Sequence, residues 1–183
     1  MNSAQDKLVA VLMNGGIAVL RTDTLYGIVA RADDEQAVAR VYEAKQRSPQ
    51  KSCIILVGSV DQVYGDGAEF AHTLERLPGS EPASILLPAD VHHTPSWLLR
   101  ENDFLAHRFV TMPWLRDILT QTGPLIAPSA NPEGESPART IAEAKAYFGE
   151  TIDYYLDGGE VPVDVSASRI IRLEQSGSIV RVR

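Results

Sequence analysis

Gly16-Ile17-Ala18-Val19-Leu20-Arg21-Thr22-Asp23-Thr24-Leu25-Tyr26-Gly27 is the stretch from which the rest of the chain can be read. Residues 17–20 are short, wholly apolar and partly β-branched, the pattern of a buried strand. Gly15-Gly16 stands just before them and can stop a first helix whose apolar side is Val9, Leu12 and Met13. Residues 21–27 then carry hydroxyls and a carboxylate and read as a polar turn, after which residues 28–30 resume extended structure. Thr22, Asp23 and Thr24 thus fall at a strand end, where binding groups tend to gather. They suit a small zwitterion or a magnesium ion, and equally a plain strand-terminating turn.

Beyond the turn, Asp33 or Asp34 caps a second helix with the apolar face Val38, Val41 and Tyr42. That helix ends near Lys45, because Pro49 forbids simple continuation. Residues 53–57 read as a central strand, 68–77 as a helix, 78–82 as a turn, and 84–87 and 104–109 as strands. Pro113 opens a helix running to Thr120, with Gly123 as its stop. Residues 125–127 form a short strand leading into the loop 128–134. Thr140 and Glu143 make a capping box for a helix ending at Gly149. Strands at 152–156, 169–173 and 178–182 complete the chain. No strand–helix unit repeats, so the expected class is α+β with α/β-like character: a twisted mixed sheet flanked by helices. With no repeat or linker in sight, residues 1–183 are expected to form one domain.

Composition narrows the function. Of the 183 residues, 44% are hydrophobic and 22% charged, enough for a packed core. The net charge of -7 argues against a surface that grips duplex nucleic acid as a whole, so any anion site must be local. The single cysteine, Cys53, lies in an apolar run and reads as a small buried residue rather than a nucleophile. No segment approaches the ~18 apolar residues of a membrane span, and a cytoplasmic location is expected. None of the four histidines has metal-ligand spacing, and no metal site is expected. The common phosphate cradles, the P-loop and G-x-G-x-x-G, are absent.

Two further groups stand out. Arg40, Lys45, Arg47 and Lys51 crowd the end of the second helix and the loop after it. They can converge on a polyphosphate, Arg as a fork and Lys as a point charge, although cations at a helix C-terminus are favourable in any case. Ser129-Ala130-Asn131 follows a short apolar strand. A hydroxyl and a carboxamide there can bind phosphate or sugar oxygens, or simply shape a turn.

Taken in order, these pieces resemble the YrdC/TsaC family. Residues 16–27 are similar to the family's opening strand and P-T-[DE]-[TA]-x-[YF]-G turn. Lys45-Gln46-Arg47, with Lys51 beyond, looks like its K-x-R motif, and Ser129-Ala130-Asn131, with Gly134, like its S-x-N motif. Ala106-His107-Arg108 resembles the strand bearing its V-R pair, Ser168-Arg169-Ile170-Ile171 its S-T-[VI]-[VI] strand, and Arg181 falls where an arginine ends the domain. Arg21 replaces the family's proline, Ser52-Cys53 a proline-leucine and Arg169 a threonine. The segment from Pro78 to Ser84 is longer than its P-G-P-x-T.

The resemblance implies a YrdC/RibB-like fold with a concave basic cavity. It implies synthesis of threonylcarbamoyl-AMP from L-threonine, bicarbonate or CO2, and ATP with Mg2+, for a downstream tRNA threonylcarbamoyl-transferase complex. Thr24, Arg108 and Ser168 are expected to hold threonine. Arg47, Lys51, Ser129 and Arg181 are expected to contact ATP, and Lys45 and Asn131 to line the same cavity. Lys45, Arg47, Ser129 and Asn131 together are the expected catalytic group, and Lys45 and Arg47 should be exposed to the cavity, so that replacing either spares the fold. Two other readings remain open: a non-catalytic RNA-binding or ribosome-maturation module, with weak RNA binding, and a paralogue acting on another carbamoyl or carboxylate substrate.

Overall fold

The computed structural model describes residues 3–77, 81–100, 103–174 and 178–182. Its strands are β1 (Ala18–Arg21), β2 (Tyr26–Arg31), β3 (Ile55–Val57), β4 (Ala83–Pro88), β5 (Phe104–Phe109), β6 (Leu125–Ile126), β7 (Tyr154–Leu156), β8 (Arg169–Leu173) and β9 (Ile179–Arg181). The helices are α1 (Ser3–Met13), α2 (Glu35–Lys45), α3 (Gly67–Glu75), α4 (Ser96–Leu99), α5 (Pro113–Thr122) and α6 (Ile141–Phe148). All nine strands join one sheet in the order β7-β1-β2-β6-β3-β5-β4-β8-β9. Pairing is parallel for β1–β7, β3–β5 and β4–β8 and antiparallel elsewhere, so the sheet is mixed as expected.

Alternation along the strands decides what each face does. One face buries Val19, Ile28, Ile55, Ile85, Leu105 and Ile171 against Val38 and Val41 of α2, Phe70 of α3 and Phe148 of α6. The other face buries Ala18, Leu20, Val29, Leu56 and Leu125 beneath Leu8 and Leu12 of α1 and Leu115, Ile118 and Leu119 of α5. Over β4, β5 and β8 this second face opens into a hollow, lined by the even-numbered Leu86, Phe104, Ala106, Arg108 and Ile170.

Local chemistry explains the boundaries. Asp34, not Asp33, caps α2 by accepting from the Ala37 N–H at 2.9 Å. Thr140 caps α6 through the Glu143 N–H, but the Glu143 carboxylate reaches back to the Arg139 N–H at 2.7 Å, one residue beyond the usual reciprocal partner. Helix α1 turns Leu8 and Leu12 inward, four residues apart, and Met13 lies 47% exposed instead of in the core. The central strand is shorter than expected: Cys53 and Ile54 precede it and form cavity wall, although the Ile54 carbonyl still accepts from the Ala127 N–H at 2.8 Å. Helix α4 had no strong periodic signal. Of the expected turn at 78–82, residues 78–80 lie outside the described residues.

Candidate functional site

The hollow holds about 630 Å³, room for a ligand larger than an amino acid. Three structural units bring its polar groups together.

The first is the β1–β2 hairpin, whose turn is tighter than the sequence suggests. Arg21 pairs with Tyr26, so only residues 22–25 make the bend. The Thr22 N–H and hydroxyl both donate to the Leu25 carbonyl, at 3.0 and 2.7 Å. The Thr22 hydroxyl also lies 3.1 Å from that of Thr24. Arg108 reaches this turn from β5, donating to the Thr24 hydroxyl at 3.1 Å and pairing with Asp23 at 3.2 Å. The guanidinium and the Asp23 carboxylate are both over nine-tenths buried, with side chains only 4% and 9% exposed, so the two charges are paired away from solvent. Thr24 and Arg108 line the hollow; Asp23 lines a second hollow behind the turn, beside Arg21, Trp114 and Asp157. Ser168, just before β8, joins the same group, its hydroxyl 2.9 Å from that of Ser84 on β4.

The second unit is the loop after β6. It is stitched to the start of β2: the Ile28 N–H donates to Pro128, and the Ala130 N–H to Tyr26, at 3.0 and 2.8 Å. Gly27 eases the contact, since a Cβ there would stand 3.3 Å from the Pro128 carbonyl, closer than most such contacts. Within the loop the Asn131 amide donates to the Pro132 and Glu135 carbonyls, at 3.0 and 2.7 Å, which leaves its Oδ1 as an acceptor. The Ser129 hydroxyl donates to that oxygen at 2.6 Å. With its proton so used, Ser129 turns lone pairs to the hollow, which suit a ribose hydroxyl in this arrangement.

The third unit is the C-terminal end of α2. Gln46 takes a left-handed conformation, φ 50°, and swings the chain out of the helix. Lys45 stays behind, 2% exposed. Its ammonium donates to the Ser129 and Asn131 carbonyls and lies 3.4 Å from Asn131 Oδ1. Three N–H donors thus meet three oxygens of one loop. Burial, and next the neighbouring Arg47, lower its pKa to about 8, which still leaves it charged at neutral pH. Arg47 folds over the following segment, donating to the Lys51 and Ser52 carbonyls at 3.1 and 2.9 Å. Lys51 is ion-paired with Glu133.

Most of the sequence-derived residues therefore meet. Thr24, Arg47, Lys51, Arg108, Ser129 and Ser168 all line the hollow. Three do not, each for a physical reason. Lys45 is a buried brace beneath the loop of Ser129, and the expectation that it lines the cavity is corrected. Asn131 spends both ends of its carboxamide inside its own loop and does not line the hollow. Arg181 pairs with Ile171 across β8–β9, and directly opposed residues share a face. Ile171 belongs to the closed core, so Arg181 points from the sheet's other side and is exposed there. Arg181 thus stands on the side of the sheet away from the hollow.

Sequence reading missed the pairing of Asp23 with Arg108 and the apolar wall of Ile54, Leu86, Phe104 and Ile170. Strand parity around Arg108 was the available signal for the wall. The Asp23 pairing needed the hairpin's fold across the hollow. It also missed Tyr26, whose hydroxyl accepts from the Gly158 N–H at 3.0 Å and donates to the Gly159 carbonyl at 2.8 Å, tying the hairpin to residues 157–159.

Known proteins share this fold. The Sua5/YciO/YrdC family model, described as "Telomere recombination", matches residues 10–183. A threonylcarbamoyl-AMP synthase of Chromohalobacter salexigens is 36% identical over 157 residues, covering 82% of each chain. One of Acinetobacter baumannii is 29% identical over 180 residues, covering 93% of each. The crystal structure of P. abyssi Sua5 complexed with L-threonine superposes with a TM-score of 0.85 at 27% identity, covering 98% of this chain and 53% of that one. The present chain thus spans about half the length of that Sua5 protein, and its matches cover 93% and 82% of the two bacterial synthases.

Proposed function

The chain belongs to the Sua5/YciO/YrdC family, and from that premise we propose that it is a threonylcarbamoyl-AMP synthase, converting L-threonine, bicarbonate and ATP to threonylcarbamoyl-AMP and pyrophosphate. One observation carries the reading. A single hollow gathers a buried arginine with two hydroxyls, from Thr24, Arg108 and Ser168, and a second group of Arg47, Lys51 and Ser129 from two other loops.

Arg108 would meet the threonine carboxylate, with Thr24 and Ser168 beside it. The amine nitrogen bonds to the carbon of CO2, which forms from bicarbonate by loss of hydroxide, and gives up a proton to water, leaving a carbamate. A carbamate oxygen then attacks the α-phosphorus of ATP as the bond to pyrophosphate breaks. No protein nucleophile is required, so the chain contributes position and charge. Arg47 and Lys51 would stabilise the phosphate oxygens, Ser129 the sugar, and Lys45 would act at one remove by holding the Ser129 loop. Magnesium would neutralise the triphosphate. No group of three or more acidic, histidine or cysteine side chains among the described residues could cage a metal, which fits an ion carried in on phosphate oxygens and water.

The product would pass to a tRNA threonylcarbamoyl-transferase complex. No helix of the described residues is long and apolar enough to cross a membrane, which is compatible with the cytoplasmic location we propose. The test is to incubate the protein with ATP, magnesium, bicarbonate and single amino acids, and to follow the adenylate by mass and pyrophosphate by release. A threonine-dependent adenylate is expected. No adenylate, or equal yields with unrelated amino acids, would refute the assignment.

A further inference from the structure

Lys51 lines the hollow, yet its ammonium is held by a carboxylate. Glu133 is fixed for that task at three points. Its own N–H donates to the Lys45 carbonyl at 2.8 Å. One carboxylate oxygen accepts from the Ser48 N–H at 2.7 Å, and the other takes Lys51. Those hydrogen bonds, that to Lys51 foremost, hold its carboxyl below the usual carboxylate range, so it is ionised at any ordinary assay pH. Glu133 therefore bridges the two loops bearing Arg47, Lys51 and Ser129, the groups assigned here to the nucleotide. A carboxylate bound by one backbone N–H and one ammonium is ligated much as a phosphate oxygen would be.

We infer that Glu133 is a built-in counter-anion that parks Lys51 against the cavity wall and must yield it when the triphosphate binds, so that Glu133 sets the affinity for nucleotide. The inference rests on the synthase reading. An incoming phosphate gains Lys51 only by breaking an existing ion pair. Glu133 is thus a positioning residue: it never touches the reacting atoms, and its effect runs through Lys51. Apparent ATP affinity falls in proportion to the share of molecules in which Lys51 is parked.

The test uses Glu133→Gln, which keeps the size and one hydrogen-bond acceptor but removes the charge. Binding of ATP, inorganic tripolyphosphate and adenosine to the full chain is measured by calorimetry, with KM for ATP and for threonine alongside. Glu133→Gln is expected to tighten ATP and tripolyphosphate by roughly twofold to fivefold, the scale of a partly exposed ion pair, and to leave adenosine and the threonine KM unmoved. In the Lys51→Met background the same change should have no such effect, because there is no ammonium to release. Unchanged or weaker ATP binding in Glu133→Gln would overturn the proposal. So would equal tightening with and without Lys51, which would mark a general field rather than a latch. Failure of the wild-type protein to bind ATP at all would instead count against the synthase reading, so the two failures are separable.

Discussion

The two groups of polar side chains in the hollow are built on opposite plans. Thr24, Arg108 and Ser168 are 6%, 4% and 4% exposed, stand in a tight hairpin, on β5 and just before β8, and are hydrogen-bonded before any ligand arrives. Lys51 is carried by a loop, its side chain 58% exposed, and is held by a carboxylate that can let go. The first plan suits a small ligand whose carboxylate and hydroxyl must be read at fixed positions. Preorganised buried groups discriminate sharply because a wrong ligand leaves them unpaired. The second suits a flexible, highly charged polyphosphate, where adjustable cations suffice. Selectivity should reside in the first group and tunable affinity in the second.

The contrast breaks most visibly at Arg108. Arg108→Met strands the buried Asp23 carboxylate, and stability should fall by about 3–5 kcal/mol, as is usual when one partner of a buried ion pair is removed. Adding Asp23→Asn should recover most of that loss without recovering threonine-dependent activity. Urea denaturation of the single and double variants checks both points. A single variant within about 1 kcal/mol of wild type would mean that the pair is not the anchor of this group.

Acid should reach the same strand from behind. His107, the residue before Arg108, points into the closed core, where its Nε2 accepts from the Tyr64 N–H at 3.1 Å. Burial lowers its pKa from 6.5 to about 4. The neutral form is favoured in the folded state, so its contribution is complete above about pH 6.5 and is lost as pH falls through about 4. The change amounts to about 3 kcal/mol in all. His107→Gln keeps an acceptor and cannot titrate. Its stability curve should be flatter than the wild type's across that window, and parallel curves would contradict the assignment.

Lys45 belongs to neither plan, and it shows what can be read from a chain and what cannot. The caps of α2 and α6 and the bounds of β5 were legible because each depends on neighbours a few residues away. The K-x-R and S-x-N segments were legible as polar groups beside helix and strand ends. That the first residue of one segment is sealed beneath the other was not, because it depends on oxygens some eighty residues away, at Ser129 and Asn131. A lysine ending a helix looks the same in sequence whether it faces solvent or three carbonyls. Lys45→Met should accordingly cost about 2 kcal/mol by stranding buried acceptors, in contrast to the intact fold expected of a cavity-lining side chain. It should also raise the ATP KM through the loosened Ser129 loop. A calorimetric melt with steady-state kinetics measures both, and an unshifted melting temperature would return Lys45 to the cavity wall.

The smallest effect is the most discriminating for register. A one-residue slip of β9 against β8 would turn Arg181 toward the hollow, since side chains alternate between faces. The observed pairing, Ile171 with Arg181 and Leu173 with Ile179, sends both β9 residues to the closed-core side, where Ile179 packs against the core. Arg181→Ala should therefore leave the ATP KM unchanged, while Lys51→Ala raises it by about tenfold, the usual effect of losing one cationic contact to phosphate. Both variants should melt with the wild type. If Arg181→Ala weakened ATP binding as much as Lys51→Ala, the register of the last strand would have to shift by one residue when nucleotide binds, and the cationic group would then draw on the sheet edge as well as on the loops.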